Sequence, residues 1–298
     1  MRRAIAWAIL CVLSGCQPPE GPVAVANRPR AGGTDVTFFV AADSHIGAEG
    51  IEAVNRIEAA AMNSLPGTPC PPEIGGVVAR PRGVLVAGDL TDHGTAAEWN
   101  AWEAIYGLTG REGLLKFPVF ECSGNHDRIL PFMDTVPDRV RRRHGGLAYS
   151  WDWGDLHLVC LDLYPSAENL RWLRRDLAAA GRRVPVVIYF HYSVLGPFSE
   201  WWGEPAKEAF AHEIEGYNVI GIFHGHYHGS YSYKWKGRDV FNIGSPRHVW
   251  HRFLAVRVTD TAMTVAAWDW DSSKWDWVVV RRINQDQGGL GGAAPAGS

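Results

Sequence analysis

The sequence predicts an α/β domain that closes in a run of strands, and three patterns carry that prediction. Short apolar runs alternate with helical stripes up to about residue 230. Those runs are apolar at both odd and even positions, as expected of strands covered on two faces. Beyond residue 230 only strand-like segments follow. In chain order the strands are expected at 36–41, 83–87, 119–122, 156–161, 184–190 and 219–223, then at 231–235, 240–242, 253–258, 263–268 and 277–283.

Helices fill the gaps in the first part. Residues 50–62 place Ile51, Val54 and Ile57 on one face. Thr95 followed three residues later by Glu98 forms a capping box, after which Trp99, Trp102 and Ile105 recur at helical spacing. Leu170, Leu173 and Leu177 make a further stripe, stopped by Gly181. The aromatic and leucine stripes read as core rather than as cofactor contacts.

At 298 residues the chain can bury a sizeable core, and its fourteen tryptophans need one. The formal charge of −3 counts against a broad basic face for nucleic acid. The first residues read as an export signal rather than as fold: Arg2 and Arg3 precede an apolar run at 4–13, and Leu13-Ser14-Gly15-Cys16 supplies small residues before a cysteine. The ending resembles a bacterial lipobox, which implies cleavage after residue 15 and a lipid on Cys16; the alternative is a plain secretory signal. Losing Arg2 and Arg3 takes the charge from −3 to −5. Residues 16–34, rich in Pro, Gly and Ala, read as a flexible tether, 35–284 as the folded domain and 285–298 as a disordered tail. No later stretch is long and apolar enough to span a membrane. Cys122 and Cys160 lie in apolar runs as buried thiols, Cys70 lies in a loop, and their spacing suggests neither zinc nor a disulfide framework.

The chemistry is written just past strand ends. Successive strands run into Asp43-Ser-His45, Gly88-Asp89, Gly124-Asn125-His126-Asp127, His191, and His224-Gly225-His226-Tyr227-His228. Sites in α/β sheets form outside the carboxyl ends of strands. Imidazole and carboxylate suit first-row divalent ions, and paired ions activate water and neutralise charge on a phosphoryl oxygen. Gly88, Gly124 and Gly225 let the backbone turn beside those groups.

With DSH at 43–45, GDLTDHG at 88–94, GNHD at 124–127, His191 and GHYH at 225–228, residues 36 to about 248 resemble the calcineurin-like metallophosphoesterases. GDLTDHG is especially similar to the subgroup containing bacterial cyclic-nucleotide phosphodiesterases. The resemblance implies two mixed β-sheets packed as a sandwich with flanking helices. It implies that Asp43, His45, Asp89 and His228 hold one divalent ion and Asp89, Asn125, His191 and His226 a second, manganese, iron or zinc. A hydroxide between the ions would attack phosphorus in line, His126 would stabilise the transition state or protonate the leaving oxygen, and Asp127 would orient His126. Purple acid phosphatases of this superfamily carry a tyrosine ligand shortly after the bridging aspartate. Leu90, Thr91 and Asp92 stand there instead, which implies a weakly coloured enzyme favouring manganese.

Other residues are open. His224 reads as a support rather than a ligand, and Asp92 and His93 fit either role. His144, His157, His212 and His251 read as surface or structural, and Arg139, Arg141, Arg142 and Arg143 as a solvated face rather than a phosphate patch. The aromatic segment 192–202 is either an apolar wall for a base, sugar or acyl group or simple packing. Arg247 or His248 is placed to touch phosphate. The expected activity is metal-dependent hydrolysis of a small phosphate mono- or diester by a lipid-anchored protein facing the periplasm or exterior. A nuclease of the same fold and a non-catalytic metal-binding surface lipoprotein are the rivals.

Overall fold

A computed structural model describes residues 33–130 and 135–283. Its strands and helices run in the order β1 (Asp35–Ala41), α1 (Ile51–Ser64), β2 (Val84–Ala87), α2 (Ala96–Tyr106), β3 (Val119–Cys122), α3 (Val136–His144), β4 (Ala148–Trp153), β5 (Leu156–Leu161) and α4 (Ala167–Ala180). Then come β6 (Val186–Phe190), α5 (Glu204–Glu213), β7 (Val219–His224), β8 (Ser230–Trp235), β9 (Arg238–Ile243), β10 (Arg252–Thr259), β11 (Ala262–Asp269) and β12 (Lys274–Arg282). The expected leader, Cys16, most of the expected tether and the expected tail lie outside the described residues.

The strands form two six-stranded sheets, β12-β11-β10-β1-β2-β3 and β4-β5-β6-β7-β9-β8. Both are mixed. In the first, β1, β2 and β3 are parallel while β10, β11 and β12 pair antiparallel. In the second, β5, β6, β7 and β9 are parallel, with β4 and β8 antiparallel at the edges.

Alternate side chains of one strand serve two cores. From β5 and β6, Leu156, Leu158, Cys160, Val187 and Tyr189 join the core shared with the first sheet. Val159, Leu161, Val186, Ile188 and Phe190 instead meet Leu170, Leu173 and Leu177 of α4 and Phe210 of α5. A strand with helices on one side and a sheet on the other has no wet face, so it is apolar at both parities. Ile51 and Met62 of α1 and Trp99 and Trp102 of α2 join the core of the first sheet.

Local signals hold. Thr95 Oγ1 accepts from Glu98 N at 3.1 Å and Glu98 Oε2 accepts from Thr95 N at 3.0 Å, the reciprocal cap that starts α2. Gly181 ends α4 with φ 96°. Cys122 and Cys160 are buried free thiols. Among the described residues no helix is long and apolar enough to cross a membrane.

Three elements go beyond the sequence expectation: β4, α3 and α5. The arginine run belongs to α3, and Arg143 in it turns inward rather than forming part of a solvated face. Arg143 pairs with Glu121, which is fully buried in β3, and donates to the carbonyls of Leu108 and Val119 at 2.8 Å each. A carboxylate buried in a strand needs a countercharge, and α3 supplies it.

Candidate metal centre

The five motifs meet where the two sheets face each other at the carboxyl ends of β1, β2, β3, β6 and β7. Beyond β1 and β2 the chains stay paired as loops: Gly88 O accepts from Asp43 N at 3.0 Å and Asp89 O from His45 N at 2.9 Å. Across the sheets, both carboxylate oxygens of Asp43 accept His226 N at 3.0 Å.

Asp43, His45, Asp89 and His228 form one donor cluster, and Asp89, His191 and His226 a second. Asn125 joins the second through Oδ1, 3.0 Å from His191 Nε2. Asp89 Oδ2 lies between the clusters, 3.6 Å from His45 Nε2 and 3.3 Å from His191 Nε2. Its other oxygen is tied to His126 N at 2.8 Å. His45 and His228 face each other through Nε2 atoms 3.0 Å apart, and His228 Nε2 stands 3.5 Å from Asp43 Oδ1. His226 Nε2 is buried with no hydrogen-bond partner. A buried polar atom without a partner is costly; a cation between these donors would satisfy it, so the residues fit a metal pair.

The backbone is bent to this purpose. Asp43, His45, Asp89, His226 and His228 all have positive φ, between 45° and 71°. For most residues with a side chain this left-handed region costs roughly 1–2 kcal/mol, less for aspartate, whose short polar side chain bonds locally, and such strain collects at functional sites. Glycine is required twice nearby. A methyl group at Gly124 would overlap Asp89 Oδ1, and one at Gly225 would come within 2.6 Å of Asp43 Oδ2.

Protonation suits ligation at three of the four histidines. Burial, with the charge of neighbouring cations, depresses His45 to about 2 and His226 and His228 to about 3, so their lone pairs are bare near neutral pH. His191 behaves oppositely: burial works against its charge, but Asp89 and Asp43 outweigh it and raise it to about 9. Burial would raise Asp89 too, yet His191 and His45 hold it below the usual carboxylate range. His191 Nδ1 donates to Ala87 O at 2.8 Å, which fixes the ring and leaves Nε2 to face Asp89.

The neighbours are sorted by the same geometry. His126 Nδ1 donates to the carbonyl of Asp92 at 2.9 Å, with Asp92 Oδ1 at 3.4 Å. The expected role of Asp127 is therefore corrected. Its oxygens accept from the amides of Leu90, Thr91 and Gly124 at 2.8–3.1 Å and from Thr91 Oγ1 at 2.7 Å, so it braces the loops, and Asp92 orients His126. Asp92 Oδ1 also lies 3.1 Å from His45 Nδ1 and accepts from Arg247 Nη1 at 2.8 Å. Arg247 thus stands at the first cluster, 2.9 Å from His45 Nδ1. His248 is exposed, with its ring 5.1 Å from that of His228. His224 lies outside both clusters: Nδ1 donates to Gly225 O at 2.9 Å and Nε2 accepts from Tyr233 at 2.7 Å. His93 is held by Glu98 at 3.0 Å.

Sequence reasoning missed the props beneath the site. Asn55 of α1 donates to Ser44 O at 2.9 Å, between two ligand positions, and is gripped by Tyr106, which also contacts the buried Glu58. Ser245 Oγ donates to Asp43 O at 2.8 Å. The available signal was Asn55 itself, a polar residue one turn from Ile51 on the apolar face of a helix.

Two histidine–carboxylate clusters that share one aspartate, set where two mixed sheets meet, suit a pair of metal ions, and in the family to which this chain belongs they define a metal-dependent phosphoesterase. The chain belongs to the calcineurin-like phosphoesterase family, whose model matches residues 36–230. Among solved structures it is similar to a dimetal phosphatase from Danio rerio, with TM-score 0.59, 13% identity, and coverage of 84% of this chain and 99% of that one. It is also similar to the purple acid phosphatase PPD1 from yellow lupin seeds, with TM-score 0.58, 14% identity and 83% of this chain covered; the match spans 53% of the lupin chain. GAP50, the anchor in the inner membrane complex of Plasmodium, superposes with TM-score 0.62 at 10% identity, over 85% of this chain and 90% of its own. At these identities the structures speak for the fold. No curated protein matches the chain in sequence.

Proposed function

We propose that the protein hydrolyses a small phosphate ester outside the cytoplasm. Asp43, His45, Asp89 and His228 would hold one divalent ion, and Asp89, Asn125, His191 and His226 the other. The observation that carries this reading is Asp89 Oδ2 standing between two buried donor clusters. Two bound ions lower the pKa of water and neutralise charge building on phosphoryl oxygens.

The chain's own side chains do the rest. With Nδ1 committed to the Asp92 carbonyl, neutral His126 presents a bare Nε2. Carrying a proton there, it would donate to the oxygen leaving phosphorus. Arg247 keeps a positive charge beside the first cluster, where phosphate charge gathers, while holding Asp92 against His45. Asp127 keeps the loops after β2 and β3 together.

The absence of tyrosine after Asp89 supports manganese, and GDLTDHG supports a diester of the cyclic-nucleotide type. The net charge of −3 favours a small substrate over nucleic acid. Leu13-Ser14-Gly15-Cys16 supports export and a lipid anchor on a bacterial membrane. The Mn²⁺-loaded protein should hydrolyse p-nitrophenyl phosphate or its bis ester, lose that activity to chelator and regain it with Mn²⁺. Turnover of neither ester, or preferential degradation of plasmid DNA, overturns the reading. Cys16→Ser should move the protein from the membrane to the soluble fraction; unchanged membrane fractionation removes the anchor.

A further inference from the structure

We propose that Trp201 and Phe198 form a subsite for a flat, unsaturated ring carried by the alcohol portion of the phosphate ester. The inference rests on the phosphoesterase reading and extends it to the substrate's other end.

The segment that follows His191 is pinned at both ends and bare in the middle. Tyr192 is buried, stacks on Tyr164 at 5.7 Å and lies 4.8 Å from the His226 ring. Trp202 is buried against Phe190 and Phe210, and its Nε1 donates to Ser193 O at 2.7 Å. Between these anchors Phe198 and Trp201 remain 46% and 49% exposed. Core packing does not account for them. Phe198 has φ 62°, an uncommon conformation for a bulky residue, so the backbone is held at some cost in a form that leaves the ring outside.

Both rings border the second cluster. Trp201 lies 4.6 Å and Phe198 5.7 Å from the imidazole of His226, centroid to centroid. The two rings stand 6.4 Å apart at 88°, so they offer a face and an edge to the same space. A phosphate held between the two donor clusters would have this corner as its neighbour on the His226 side. Aromatic rings prefer offset-stacked and edge-to-face contacts, which favour a planar ring over a saturated group of the same size.

The test is calorimetric titration of the Mn²⁺-loaded protein with three non-hydrolysable ligands: methyl-, cyclohexyl- and phenylphosphonate. Phenylphosphonate should bind about tenfold tighter than methylphosphonate, and tighter than cyclohexylphosphonate. Trp201→Ala and Phe198→Ala should each bring the phenyl-to-methyl ratio toward one; both positions are half-exposed, and thermal melting checks the fold. A parent ratio near one, or a ratio unmoved by both substitutions, overturns the subsite. Equal binding of phenyl and cyclohexyl ligands overturns the flat ring in favour of a merely apolar group. Failure of the metal-loaded protein to bind any phosphonate overturns the phosphoesterase reading and this inference with it.

Discussion

The two halves of the centre share Asp89 and differ in what surrounds them. In the first, His45 is braced by Asp92 and Arg247, and His228 looks toward exposed His248. In the second, His226 is flanked by Tyr192, Phe198 and Trp201. One side is built from charge, the other from rings. Similar donor sets are therefore embedded in surroundings suited to opposite ends of one molecule: charge to grip phosphate, rings to select what is attached to it.

The largest expected effect breaks both halves together. Asp89→Asn removes the charge they share while keeping the shape, and asparagine tolerates a left-handed backbone. Affinity for both ions should fall by more than the ~10–100-fold that losing a supporting partner costs. Metal analysis after dialysis checks this, and loss of one ion alone would show that the halves are independent. His126→Ala should keep both ions yet lose ~10²–10⁴-fold in kcat on an alkyl ester. The loss should be smaller on p-nitrophenyl phosphate, whose leaving group hardly needs a proton. Equal losses on both esters would make charge stabilisation the better account.

Arg247→Ala sharpens the contrast. Methyl- and phenylphosphonate should both bind ~10–100-fold more weakly, as expected for a lost charged hydrogen bond, with their ratio intact. A loss confined to the phenyl ligand would contradict the division into a charged and an aromatic side.

The smallest effect lies outside both halves. His157 is buried between Asp152 at 2.7 Å and Asp176 at 2.9 Å. Burial opposes its charge, but the two aspartates raise it from 6.5 to about 9. A folded value above the unfolded one means stabilisation that is complete below pH 6.5 and lost as pH rises through 9. His157→Gln should thus cost about 2 kcal/mol at pH 6 and much less at pH 9.5, in urea denaturation, with metal content unchanged. A cost independent of pH would assign the residue to packing alone.

Interior strands were legible because two-sided burial leaves a plain mark: β3 and β5 were placed at the residues where they occur. Edge and amphipathic elements were not. In β4, Ala148–Trp153, polar and aromatic residues mix along a strand with one neighbour, so no single period stands out. In α3 the arginines read as a charge run and masked the cap in which Thr135 Oγ1 accepts from Asp138 N. At the site, residue types and order at strand ends were enough to single out the donors that converge. Asp127 was assigned to the wrong partner because its role depends on the path of two loops. Asn55 was passed over because its place one turn from Ile51 marks it as inward but does not say which loop its amide would hold.

The left-handed conformations of Asp43, His45, Asp89, His226 and His228 bear on any attempt to improve this protein in the laboratory. Glycine adopts that geometry freely. A library screened for heat resistance alone should therefore enrich glycine and asparagine at these positions. Its hardiest survivors would be the ones that had discarded the chemistry, so a rising melting temperature in this chain is a warning rather than a sign of progress unless turnover is scored beside it.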